Sequence, residues 1–137
     1  MQGGVDLIYY NYFGYSLEND IQDKIINEKH GELVVGDSLL VAIPNFKNSY
    51  LIASPTMRVP MNITETVNIY LAFRAALILI SRTNILHVIV PGLGTVIGKV
   101  TGEICAKQMY AAYNTLLNPN RYLDLVQMSK EHIDLVR

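Results

Sequence analysis

Tryptophan is absent, and cysteine occurs once, at position 105. A single cysteine excludes an intrachain disulfide and favours a reducing, cytoplasmic setting. An excess of charge of one sign is also missing. Eleven basic and 12 acidic residues leave a net charge of −1, with no run of lysine or arginine. That balance provides no electrostatic footprint for a nucleic acid, so no nucleic-acid partner is expected. The opening residues, Met1-Gln2-Gly3-Gly4-Val5-Asp6, have no basic start and no apolar stretch, so no signal peptide is expected. The apolar tract from Val67 to Ile80 contains Asn68 and Arg74 and falls short of the ~20 residues of a membrane span. It reads as a buried helix, and no membrane partner is expected. The three histidines and the lone cysteine show no metal-ligand spacing, so neither a metal nor another cofactor is expected.

What remains is the composition of a folded protein. Half of the 137 residues are hydrophobic and 17% are charged, enough for one core and one domain over residues 1–137. Leu17, Ile21 and Ile25 recur at helical spacing, with Ser16 able to cap and Gly31 able to end that helix. Leu39-Leu40-Val41-Ala42-Ile43 and Tyr50-Leu51-Ile52-Ala53 read as two strands joined by a short polar turn, an antiparallel hairpin. Pro55 and Pro60 exclude a helix in the loop that follows. A nearly all-apolar helix is predicted from Thr64 to about Arg82, then a second inner strand at His87–Val90. A helix from about Ile97 or Lys99 to Leu117 places Cys105, Met109, Ala112 and Leu116 inward, and a short helix closes the chain from about Arg121 to Val136. Strands alternating with helices predict a three-layer α/β/α fold.

Pro91-Gly92-Leu93-Gly94-Thr95-Val96-Ile97-Gly98 joins the last predicted strand to a long helix. Glycines let backbone N–H groups approach a ligand, and a helix start adds unpaired donors and the positive end of a dipole. The expected ligand is therefore an anion such as a phosphate. Two common phosphate grips do not fit. Gly92-x-Gly94-x-x-x-Gly98 is one residue too long for the dinucleotide fingerprint. A Walker A loop fails because the glycines are wrongly spaced before Gly98-Lys99 and Val100 replaces the hydroxyl residue that would hold magnesium.

The loop instead resembles that of the macro domain family, which commonly carries Gly-Thr-Gly-x-Gly between a strand and a long helix; Gly94-Thr95-Val96-Ile97-Gly98 is the matching stretch. A second family motif, a glycine run followed by Val-Asp, matches Gly3-Gly4-Val5-Asp6. Gly31-Glu32-Leu33-Val34-Val35-Gly36-Asp37 is similar to a family turn that leads into a strand. Ile52–Arg58 and Ala72–Leu77 resemble a phage-like or virus-like branch. The resemblance runs from Gly3 to about Tyr113 and implies a macro-like fold with a mixed sheet. It also implies binding of ADP-ribose or a related nucleotide. Gly3, Gly4 and Val5 would form one wall of the diphosphate site, and Gly92, Leu93, Gly94, Thr95, Val96, Ile97 and Gly98 the other. Asp6 matches the position that, in some members, helps place a water for removal of ADP-ribose from proteins, a general-base role.

Two departures accompany the resemblance. Val96 stands where the family usually has glycine, and a β-branched residue resists positive φ. The family also usually carries early strands before the glycine run, so an N-terminally truncated domain with an unpaired inner edge, and homo-oligomers built on that edge, are expected. Cys105 reads as a core thiol, Lys99 as a solvated charge, and Asp6 equally as a helix N-cap. The tyrosines at 9, 10, 12 and 15, with Phe13, read as an aromatic patch. Three readings stay open: a nucleotide-binding module, a degenerate domain with a structural or assembly role, and an ADP-ribosyl hydrolase.

Overall fold

A computed structural model describes residues 4–137. The fold is mixed α/β. Helix α1 (Gly4–Phe13) and helix α2 (Tyr15–Glu28) precede strands β1 (Leu39–Ala42) and β2 (Tyr50–Ala53); helices α3 (Asn68–Ser81), α4 (Gly102–Leu117) and α5 (Leu125–Leu135) follow. The strands pair antiparallel, with Leu39 opposite Ala53 and Ala42 opposite Tyr50. This is the hairpin read from the sequence.

Helix α2 buries Leu17 and Ile21 against Leu39 and Val41 of β1, forming one core with Phe13, Ile25, Leu33 and Leu51 at its margin. The helix begins two residues earlier than expected, after Gly14 at φ 82°, with no side-chain cap from Ser16. Its end is tight. His30 and Gly31 both adopt left-handed φ, and the Gly31 N–H donates back to the Ile25 carbonyl. A second core gathers Ile63, Ile69, Val100 and Cys105, with Met57, Leu93, Ile104 and Met109 beside it. The two cores meet along α3. Ser38 Oγ donates to the Ala75 carbonyl at 3.0 Å, Ser54 Oγ to the Ala72 carbonyl at 2.6 Å, and Asn68 Nδ2 to the Thr56 carbonyl at 2.9 Å.

Helix α3 starts at Asn68 rather than Thr64, because residues 63–66 turn back on themselves. Both the N–H and the hydroxyl of Thr66 donate to the Ile63 carbonyl. Helix α4 starts at Gly102 rather than near Lys99, which holds φ at 61° and so cannot open a helix. Thr101 caps α4 by accepting from the Ile104 N–H, and Asp124 and Gln127 form a reciprocal capping box on α5.

One expected element is missing from the sheet. His87–Val90 belongs to no strand pair among the described residues, and Leu86 and Ile89 are 88% and 96% exposed. A strand requires a neighbouring edge to bond to, and none lies beside this segment among the described residues. Among these residues, no helix is long and apolar enough to cross a membrane.

Candidate functional site

A cavity of about 1420 Å³ opens between β2 and the chain from Thr83 to Gly98. Its lining brings together most of the residues singled out in the sequence: Gly4, Val5 and Asp6 on α1, and Gly92 to Gly98 without a gap. Gly3 lies outside the described residues. Tyr9 and Phe13 line the same cavity; Phe13 also packs edge-on against Tyr12 and Phe46 at 4.9 Å and 5.4 Å, so the aromatic cluster is a packed patch with one face toward the cavity.

The glycine loop is held from below. The Gly98 carbonyl accepts from the Ile63 N–H at 3.0 Å, and the Gly94 carbonyl from the Val100 N–H at 3.2 Å. Gly98 has no room for a side chain: a Cβ there would sit 2.5 Å from the Gly94 oxygen and 2.7 Å from Ile63 Cγ1. Gly94 takes the left-handed turn, at φ 65°, over Ile63 and Ile69. Val96 does not need positive φ; its side chain is 65% exposed, and the left-handed positions fall at Gly94 and Lys99 instead. The valine therefore sits without backbone strain in a loop whose sharp turns lie on either side of it.

Pinning the carbonyls leaves the donors free. Among the described residues, no hydrogen bond engages the backbone N–H of Gly94, Thr95, Val96, Ile97 or Gly98. Five successive residues whose backbone N–H groups have no partner among the described residues thus line the cavity. The Leu93 N–H is used differently. It faces the sulfur of Cys105, whose thiol pKa is raised by burial, with the Leu93 amide pulling the other way. Cys105 is buried beneath the loop, with Met109 Sδ 3.6 Å away, in the role of a core thiol.

Asp6 occupies the first turn of α1, inside the helix rather than at its N-cap. Asp6 is exposed to solvent, and partial desolvation by its surroundings raises its pKa above the usual aspartate value of 3.8. A carboxylate so shifted, on a cavity wall, is suited to accepting a proton from water. Among the described residues, no group of three or more His, Cys, Asp or Glu side chains is arranged to hold a metal.

Sequence reasoning passed over Gln108. It is 1% exposed and joins three helices. Its Oε1 accepts from the Tyr70 N–H in the first turn of α3, while its Nε2 donates to the carbonyls of Thr66 and Leu135, each at 2.9 Å. It thus satisfies backbone groups at the start of α3 and the end of α5, groups that those helices leave open. A glutamine amid an apolar stripe is the only sequence signal of this role.

A family model described as Macro domain matches residues 1–109. An uncharacterized protein of Aquifex aeolicus strain VF5 is 29% identical over 109 residues, 80% of this chain. The chain spans 62% of that relative's length. No solved structure matches it at comparable stringency.

Proposed function

The chain belongs to the macro domain family, and from that premise we propose that it binds ADP-ribose or a related nucleotide diphosphate in the cavity between α1 and the glycine loop. The observation that carries this reading is the run of five N–H donors from Gly94 to Gly98, unpaired among the described residues, at the cavity edge. A diphosphate is the ligand chemistry that uses such a run, because each oxygen accepts several hydrogen bonds and the negative charge meets aligned amide dipoles. Gly4 and Val5 line the same cavity, which supports their service as the second wall of the diphosphate site. Tyr9 and Phe13 offer ring faces for a base.

Titration calorimetry with ADP-ribose tests the reading directly. Saturable heat is expected, together with slowed amide exchange at Gly94–Gly98. Absence of heat at millimolar ADP-ribose overturns the proposal and leaves the structural or assembly role.

Asp6 favours a second reading, hydrolysis of an ADP-ribosyl bond. Its raised pKa and its place on the cavity wall suit a residue that draws a proton from an attacking water. An assay with an ADP-ribosylated peptide decides the matter. Loss of turnover in Asp6→Ala with ADP-ribose binding retained supports hydrolysis; absence of turnover in the wild-type chain ends it.

A further inference from the structure

Arg58 is the one lysine or arginine that lines the cavity among the described residues, whereas Asp6, Glu18 and Glu32 bring three carboxylates to it. Its guanidinium is already engaged. Nε donates to Glu32 Oε1 at 2.6 Å and Nη2 to Oε2 at 3.4 Å, so the side chain grips one carboxylate with two bonds. No hydrogen bond engages Nη1 among the described residues. The pair lies open to solvent, with the Arg58 side chain 79% and that of Glu32 45% exposed. An ion pair this exposed contributes little to stability, because water screens it and two long side chains must be ordered to make it. It is a contact that a better anion can replace.

Both partners stand on fixed backbone. Glu32 follows the left-handed pair His30 and Gly31 at the end of α2, and its N–H donates to the Lys29 carbonyl at 3.3 Å. Arg58 leaves a loop tied to α3, where the Thr56 carbonyl accepts from Asn68 Nδ2 at 2.9 Å. Met57, next to Arg58, packs on the core of Ile63, Ile69, Val100 and Cys105, and so does Leu93 of the glycine loop. Arg58 is therefore rooted on the core that carries the glycine loop, with a long, solvated side chain free to change partner.

We propose that Arg58 is the cationic partner of the diphosphate, and that Glu32 holds it until a ligand takes its place. The inference rests on the diphosphate reading of the cavity. Chemistry favours the exchange. A phosphate accepts the parallel N–H pair of a guanidinium as a carboxylate does, and a diphosphate brings more charge and more acceptor oxygens than Glu32. The three carboxylates of the lining repel a dianion, and backbone amides meet it with partial charges alone. Arg58 is the side chain that offsets this repulsion with a full charge. The consequence is a pair of opposite signs: Arg58 favours the ligand, and Glu32 competes with it. A pair that only braced the end of α2 against the loop would give both residues the same sign.

Titration calorimetry with ADP-ribose and, separately, with inorganic pyrophosphate tests it on the wild-type chain, Arg58→Gln, Arg58→Lys and Glu32→Gln. Arg58→Gln is expected to weaken both ligands about tenfold, the loss of a two-bond charged contact at an exposed site. Glu32→Gln is expected to tighten both about threefold, by freeing the guanidinium and removing a like charge. Arg58→Lys keeps the charge but not the planar fork, and is expected to fall between the wild type and Arg58→Gln. Both side chains are exposed, so the urea midpoints of the variants should match the wild type. Unchanged affinity in Arg58→Gln overturns the proposal. So does weaker binding in Glu32→Gln, which assigns the pair to bracing the fold. Pyrophosphate separates this inference from the nucleotide reading. Pyrophosphate heat that depends on Arg58, without heat from ADP-ribose, supports the Arg58 site and overturns the nucleotide. Heat from neither ligand overturns both.

Discussion

Leu86–Pro91 and Gly94–Val100 are neighbours in one stretch of chain, yet only the second is fastened. The loop gives its Gly98 and Gly94 carbonyls to the N–H groups of Ile63 and Val100, and packs Gly98 against Ile63. The segment before it has apolar side chains of the strand type and makes no backbone bond at all among the described residues. The difference lies in where each finds its partners. The loop is built on α3 and the residues leading into it, which are close in space and complete. A strand depends on a neighbouring edge, and β2 stands across the cavity.

The comparison breaks most sharply at Gly98. Gly98→Val is expected to cost about 3 kcal/mol, the upper end for overpacking, because the new side chain meets a backbone oxygen and Ile63 at distances no real Cβ tolerates. Urea unfolding measures the loss. Gly92→Ala is the control. There a Cβ meets only the Thr95 side chain, at 3.4 Å, and stability is expected to change by less than about 1 kcal/mol. Equal losses at the two positions would show that the loop is not held at Gly98.

The platform beneath the loop breaks at Gln108. Gln108→Leu keeps the bulk but leaves the Tyr70 N–H and the Thr66 and Leu135 carbonyls buried without that partner. The expected loss is about 2 kcal/mol by thermal unfolding, since stranded polar groups keep their full desolvation cost. Ile89→Lys, on the unfastened side, is expected to leave the stability of a single chain within about 0.5 kcal/mol.

How much of this was legible follows the same divide. Helical spacing located α2, α3 and α4, and the turn between Ala42 and Tyr50 located the hairpin, because these signals are local. Helix starts shifted where side chains or backbone competed: Thr66 turns the chain before α3, and Lys99 adopts positive φ before α4. Gly92 to Gly98 and Gly4 to Asp6, singled out from the sequence, line one cavity. The strain expected at Val96 is absent, because the left-handed turn falls at Gly94, which sequence spacing alone does not reveal. His87–Val90 carries the composition of an inner strand, but composition states what a segment needs and not whether a partner lies beside it. Gln108 was invisible for the opposite reason: its partners are backbone groups 27 to 42 residues away.

Val96 sharpens the comparison from the ligand's side. Its side chain is exposed at the cavity edge and supports nothing beneath it. Val96→Gly is expected to lower stability by about 0.5–1 kcal/mol, through chain entropy. It should also raise ADP-ribose affinity by up to about tenfold, through closer approach to the amides. Calorimetry on both proteins measures the change. Unaltered affinity would mean that the valine does not crowd the diphosphate.

The smallest effects are those of two aspartates that repeat the contrast between fastened and unfastened groups. Burial acts to raise the pKa of Asp37, but a 2.8 Å hydrogen bond from Lys29 Nζ and another from the Ser38 N–H outweigh it, so the value lies below 3.8. Asp6 faces the cavity, and desolvation holds its pKa above 3.8. The signs are opposite. Asp37 binds its proton less readily folded than unfolded, so its stabilisation is complete above about pH 4 and is lost as the pH falls through its lowered pKa. Asp6 binds its proton more readily when folded, so the fold gains stability as the pH falls through the raised pKa and loses that gain above it. Asp37→Asn should flatten the acid limb of a plot of unfolding midpoint against pH, and Asp6→Asn should steepen the net fall toward low pH. Filling the cavity supplies a further check. A bound diphosphate beside Asp6 would raise its pKa again by like-charge repulsion, so ADP-ribose should shift the Asp6 titration, followed by carboxyl NMR, and leave that of Asp37 where it was.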